Sequence, residues 1–146
     1  MSPDFLDIVR ALSATDARFI IVGAYAVNVY ADPRAAGDLN IWVEPSEENA
    51  QKVLEALKEF GAPLTGVSQS DFSTPGVTFQ IGIAPLRIDI LTEISGVAFD
   101  EAWNDRSMHP FGPFTIPFLG KRTLIRNKRA TGPAKDLVDL ESLEKE

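Results

Sequence analysis

An α/β (α+β) sandwich is the fold class that the sequence predicts, and three observations carry that expectation. Short β-branched apolar runs alternate with segments of helical periodicity along the chain, the pattern of a sheet layered against helices. The 146 residues are the size of one domain, so residues 1–146 are expected to form a single unit. Hydrophobic residues at 45% and charged residues at 24% exclude a disordered or fibrous chain.

Phe5, Ile8, Val9 and Leu12 recur at helical spacing, with Ser2 as a candidate cap and Pro3 in the first turn. Phe19-Ile20-Ile21-Val22 reads as a strand buried on both faces and stopped by Gly23. Ala24 to Ala31 suits a short helix, broken at Asp32-Pro33 because proline disfavours α geometry in the residue before it. From Asp38 the chain alternates: Leu39, Ile41 and Val43 point one way, and Asp38, Asn40, Trp42 and Glu44 the other. This predicts a strand with one polar face.

Ser46 is placed to cap a helix with Glu47 and Glu48 at its positive end and Gly61 at its close. Residues 62–76, rich in Gly, Pro, Ser and Thr, read as a loop. Val77–Ile83 and Leu86–Thr92, separated by Ala84-Pro85, read as an antiparallel hairpin. A short helix at Phe99–Trp103, a strand at Phe114–Phe118 and helices at about Arg122–Ala130 and Lys135–Leu143 complete the expectation.

The uncharged run from Phe19 to Ala31, 13 residues, is shorter than the roughly 20 that cross a bilayer. Without a cationic leader or a cysteine, the expected location is cytoplasmic, with no membrane partner. The net charge is −7, yet Lys121, Arg122, Arg126, Lys128, Arg129 and Lys135 fall in a stretch without acids. An acidic body argues against broad duplex nucleic-acid binding. The basic strip fits a compact polyphosphate or an RNA contact, and equally a solvated helix face.

The polar residues set inside apolar strands are the candidates for chemistry. Asp38 and Asn40 share one face of a strand, and Asp89 lies among Leu86, Ile88, Ile90 and Leu91. Carboxylates in such settings need a partner. That partner is either a hard divalent cation or, more simply, a turn for Asp38 and the Arg87 guanidinium for Asp89.

Their order along the chain carries a resemblance. Val22-Gly23-Ala24-Tyr25-Ala26, Arg34, Asp38-Leu39-Asn40-Ile41-Trp42-Val43, Arg87-Ile88-Asp89-Ile90-Leu91, and Asn127 to Gly132 followed by Lys135 to Leu140 resemble the nucleotidyltransferases of the DNA polymerase β-type superfamily. The chain looks most like the small bacterial and archaeal members that include toxin-antitoxin and abortive-infection proteins. The resemblance implies a mixed sheet flanked by helices, and transfer of a nucleoside monophosphate from an NTP to an acceptor hydroxyl. It implies catalytic and Mg²⁺-ligating roles for Asp38, Asn40 and Asp89, with two Mg²⁺ ions in the usual mechanism. It further implies nucleotide contacts at Gly23, Ala24, Arg34, Lys128 and Lys135.

Asn40 stands where the family carries its second aspartate. An amide oxygen ligates without contributing charge, so two of three carboxylates remain. The alternative function is therefore a catalytically inactive binding module, antitoxin-like or bound to a partner protein. Ala24 lacks the hydroxyl often found after the glycine, Ala36-Gly37 replaces a Thr-plus-polar pair, and Pro133 replaces a common arginine.

Other motifs are excluded. Ile41, Trp42 and Val43 fall where a calcium loop needs Asx ligands and glycine, and Thr115 stands where a P-loop ending at Gly120-Lys121 needs its first glycine. His109, the single histidine, is expected in a loop. Trp42 is expected in the core, with base stacking as the lesser alternative.

Overall fold

A computed structural model describes residues 2–33 and 35–131. Along the chain run α1 (Pro3–Ala14), β1 (Phe19–Val22), α2 (Ala24–Tyr30), β2 (Leu39–Val43), α3 (Glu47–Phe60), α4 (Gln69–Ser73), β3 (Thr78–Ile81), β4 (Ile88–Leu91), α5 (Phe99–Asp105), β5 (Ser107–Phe111), β6 (Phe114–Phe118) and α6 (Lys121–Thr131). The expected helix at Lys135–Leu143 lies outside the described residues.

The six strands form one mixed sheet in the order β3-β4-β2-β1-β6-β5. β2 runs antiparallel to β1 and parallel to β4, with β3 closing one edge antiparallel to β4. β6 joins β1 in parallel and carries β5 as the other edge. All four residues of β1 are buried, as expected for a central strand covered on both faces.

β2 corrects the polar-face expectation. Leu39, Ile41 and Val43 are buried on one face, but Trp42 on the other is 1% exposed and meets Phe99 of α5 edge-on at 5.0 Å. Helices therefore cover both sides of the sheet, and Trp42 is core rather than a platform for a base. The polar character of that face is left to its two ends, Asp38 and Asn40 at the start and Glu44, paired with Arg18, after the last residue of β2.

Ser46 caps α3 by accepting the Asn49 backbone N–H at 3.2 Å, and Gly61 ends the helix at φ 91°. Asn49 itself is buried and ties this helix to the strands. Its Oδ1 accepts the Arg18 N–H at 2.7 Å, and its Nδ2 donates to the Arg18 and Glu44 carbonyls at 3.0 Å each. Ser2, by contrast, makes no side-chain cap bond to α1.

Two elements depart from the sequence expectation. Within residues 62–76 the chain forms α4, held by a capping box between Ser68 and Asp71 and anchored by the buried Phe72 against Phe79. His109 lies in strand β5, not in a loop, with its ring edge-on to Tyr30 and Phe118 at 5.8 and 5.7 Å. Pro110 is tolerated there because an edge strand leaves one side of its backbone unpaired. Among the described residues no helix is long and apolar enough to cross a membrane.

Candidate active site

The site forms at the end of the sheet where β1 stops and β2 and β4 begin. The antiparallel register sets Val22 opposite Asn40, and the parallel register sets Asn40 opposite Asp89. Paired residues on neighbouring strands share a face, as do residues two apart on one strand. Asp38, Asn40, Arg87 and Asp89 therefore form a polar square on one face of two adjacent central strands. The opposite face of the same strands is apolar and buried at Leu39, Ile41, Ile88 and Ile90.

Arg87 holds this square together. Its Nε donates to Asp89 Oδ1 at 2.7 Å and its Nη2 to Asp89 Oδ2 at 3.2 Å. The same Nη2 lies 3.3 Å from Asp38 Oδ2, and the Arg87 backbone N–H donates to Asp38 Oδ1 at 2.9 Å. The hydrogen bond that it donates to Asp89 raises the Arg87 pKa above its ordinary value; partial burial opposes this, and the charges of Asp89 and Asp38 reinforce it. Arg87 is thus a permanent cation here. Asp89 is 7% exposed, a degree of burial at which a carboxylate needs such a partner.

Gly23 closes the square from above. Its backbone, at φ 73° and ψ −152°, is in a region open essentially to glycine alone. A Cβ there would stand 2.6 Å from Asn40 Nδ2, so this turn lies directly against the Asn40 side chain. Ala24 opens α2 and offers no side-chain hydroxyl. Gly37, just before Asp38, would bring a Cβ within 3.1 Å of the Pro85 carbonyl. The hairpin tip therefore borders the site, with Ile83 and Leu86 exposed on it.

The structure thus brings Gly23, Asp38, Asn40 and Asp89 together, and adds Arg87. Arg34 and Lys135 lie outside the described residues. Lys128 is in the last turn of α6. Two arginines of the basic strip are engaged by acids of α5. Arg126 pairs with Glu101, and Arg122 lies near Glu101 and Asp105 at 3.6 and 3.7 Å. This favours the solvated-face reading for those two arginines.

As a metal site the square is oxygen-rich, which suits a hard divalent cation. Among the described residues, however, no third carboxylate, histidine or cysteine joins Asp38 and Asp89 in a metal-binding group. Two carboxylates and an amide fit one divalent ion once Arg87 has released them.

No family model matches the sequence, and no curated protein matches it. Solved structures do, and the fold they share with this chain is one found in nucleotidyltransferases. One is the lincosamide antibiotic adenylyltransferase LnuA in its lincomycin-bound form, with a TM-score of 0.62, 14% identity, and 99% of this chain and 96% of that chain covered. Another is a Thermotoga maritima protein assigned to the nucleotidyltransferases, with a TM-score of 0.55, 15% identity, and 99% and 93% covered. At such identities the likeness establishes a shared fold.

Proposed function

We propose that this protein is a nucleotidyltransferase that moves a nucleoside monophosphate from an NTP to an acceptor hydroxyl. The observation that supports it is the register that sets Asp38, Asn40 and Asp89 on one face beneath the Gly23 turn. In the proposed reaction the acceptor oxygen attacks the α-phosphorus, the bond to the β-phosphate bridging oxygen breaks, and pyrophosphate leaves. The acceptor proton passes to Asp89 or to solvent.

Asp38, Asn40 and Asp89 would hold a single Mg²⁺, which when bound neutralises phosphate charge and lowers the pKa of a coordinated hydroxyl. Arg34, Lys128 and Lys135 are the cations assigned to phosphate contacts in this proposal. The lincomycin-bound neighbour supports a small molecule as acceptor, ahead of a protein side chain or an RNA end.

A second reading has its own observation. Asn40 contributes no charge and Arg87 already pairs with both carboxylates, which supports a non-catalytic binding module acting through nucleotide or a partner protein, as an antitoxin-like domain would. One experiment separates the two: each NTP with Mg²⁺ is incubated with the protein and a panel of hydroxylated acceptors, and pyrophosphate release is measured beside equilibrium nucleotide binding. Turnover that disappears in Asp89→Asn, with the fold checked by circular dichroism, supports the enzyme. Binding without turnover supports the module, and neither binding nor turnover with any NTP overturns the enzyme and leaves only a module that acts through a partner protein.

A further inference from the structure

We propose that Arg87 is a resident cation that competes with divalent metal for Asp38 and Asp89, so that metal loading requires its displacement. The inference deepens the functional reading above and rests on its assignment of these carboxylates as the metal donors.

The geometry is chelating. Each of the four carboxylate oxygens has Arg87 as a partner. Asp89 receives Nε and Nη2 at 2.7 and 3.2 Å, while Asp38 receives the backbone N–H at 2.9 Å and Nη2 at 3.3 Å. An ion entering between the two carboxylates must take over oxygens that the guanidinium already engages. Two carboxylates sharing one guanidinium retain one net negative charge, so the pull on a dication is half what the bare pair would exert.

Asn40 belongs to the same arrangement. With a carboxylate at that position, Arg87 would leave two charges uncompensated, and the balance would tip toward a metal. With the neutral amide, the guanidinium suffices to keep the square folded with no ion present. Arg87 is nevertheless not sealed in. Its side chain is 29% exposed, against 10% for Asp89, so it has a path out to solvent or to a phosphate, whose oxygens suit the same planar fork.

The test uses Mn²⁺ titration followed by electron paramagnetic resonance on the full chain, with thermal melts in the presence and absence of Mg²⁺. Arg87→Gln should bind Mn²⁺ at least about tenfold more tightly than the unaltered protein, the scale on which groups bordering a metal site alter affinity. It should also melt lower without metal and regain stability with Mg²⁺, a gain the unaltered protein does not show. Arg87→Lys keeps the charge but cannot span the three oxygens that the guanidinium engages, so its affinity should fall between the two. It also serves as the decisive variant should Arg87→Gln not fold.

Equal Mn²⁺ affinity with and without the arginine overturns the competition. One further variant locates such a failure. If Arg87→Gln combined with Asn40→Asp binds tightly while Arg87→Gln alone does not, the carboxylates are a metal site and only the role of Arg87 falls. If the double variant binds no ion, the metal-site assignment falls with it.

Discussion

Replacing Gly23 with alanine tests the centre of the site, because two separable penalties meet there. The backbone at φ 73° and ψ −152° is strained for any residue with a Cβ, at about 1–3 kcal/mol. The new methyl would lie 2.6 Å from Asn40 Nδ2, 3.3 Å from its Cγ and 3.4 Å from its Cβ. The first must move and the second must give slightly, and both belong to the amide end of a side chain that can turn aside at roughly 1 kcal/mol. Alanine also restricts the unfolded chain, offsetting about 0.5 kcal/mol. The expected loss is about 2–3 kcal/mol, read from the urea midpoint at constant slope, or roughly 6–10 °C in Tm for a domain of this size.

The same substitution in an Asn40→Ala background meets only a Cβ at an ordinary 3.4 Å. Its cost should therefore drop by about 1 kcal/mol, which a double-mutant cycle resolves. Identical costs in the two backgrounds would refute the contact between the glycine turn and Asn40. A cost under about 0.5 kcal/mol would refute the strain assignment.

Three other outcomes follow from the fold. Asn49→Ala removes three buried hydrogen bonds joining α3 to the Arg18 and Glu44 backbone, and should lower stability by about 2–4 kcal/mol in urea unfolding. Gly120→Ala would set a Cβ 2.2 Å from the Asp105 backbone oxygen, which cannot rotate away; a loss of about 3 kcal/mol is expected in thermal melts. Glu101 has its pKa lowered, chiefly by the hydrogen bond from Arg126. Its contribution is present above the ordinary carboxylate value and fades as pH falls through the lowered one, so Glu101→Gln should flatten the acid limb of the stability profile below about pH 4.5.

Local signals were legible wherever a residue acts on its own neighbourhood. Ser46 and Gly61 mark the two ends of α3 because capping needs nothing beyond the adjacent turn. The alternation from Asp38 located β2, and the spacing around Ala84-Pro85 located the β3–β4 hairpin. α4 carried a readable sign that composition masked: Ser68 and Asp71 at capping-box spacing, followed by a large apolar residue. β5 was hidden because Met108-His109-Pro110 has turn-like composition, and only pairing with β6 makes it a strand.

Trp42 illustrates a non-local limit. Alternation puts it on the face of Asp38 and Asn40, and nothing near it in sequence says that α5 will cover that position. For the site, Asp38, Asn40 and Asp89 were legible as polar residues in apolar strands. Arg87 was legible as a partner of Asp89, two residues away on the same strand. Its reach to Asp38 depends on the parallel pairing of β2 with β4, joining residues 49 apart in the chain, for which no short-range pattern exists.

The strands that carry the polar square are each hydrogen-bonded on both sides, β2 by β1 and β4, and β4 by β2 and β3. Opening in a sheet begins at its margins, here β3 and β5, so amide exchange should be slowest where Asn40 and Asp89 are mounted. The polar square thus sits on the inner strands of the sheet, while the exposed Ile83–Leu86 tip beside it belongs to the periphery. Substitutions on such a rim alter the border of the site without moving the strands that align the square, a division of labour between scaffold and loop.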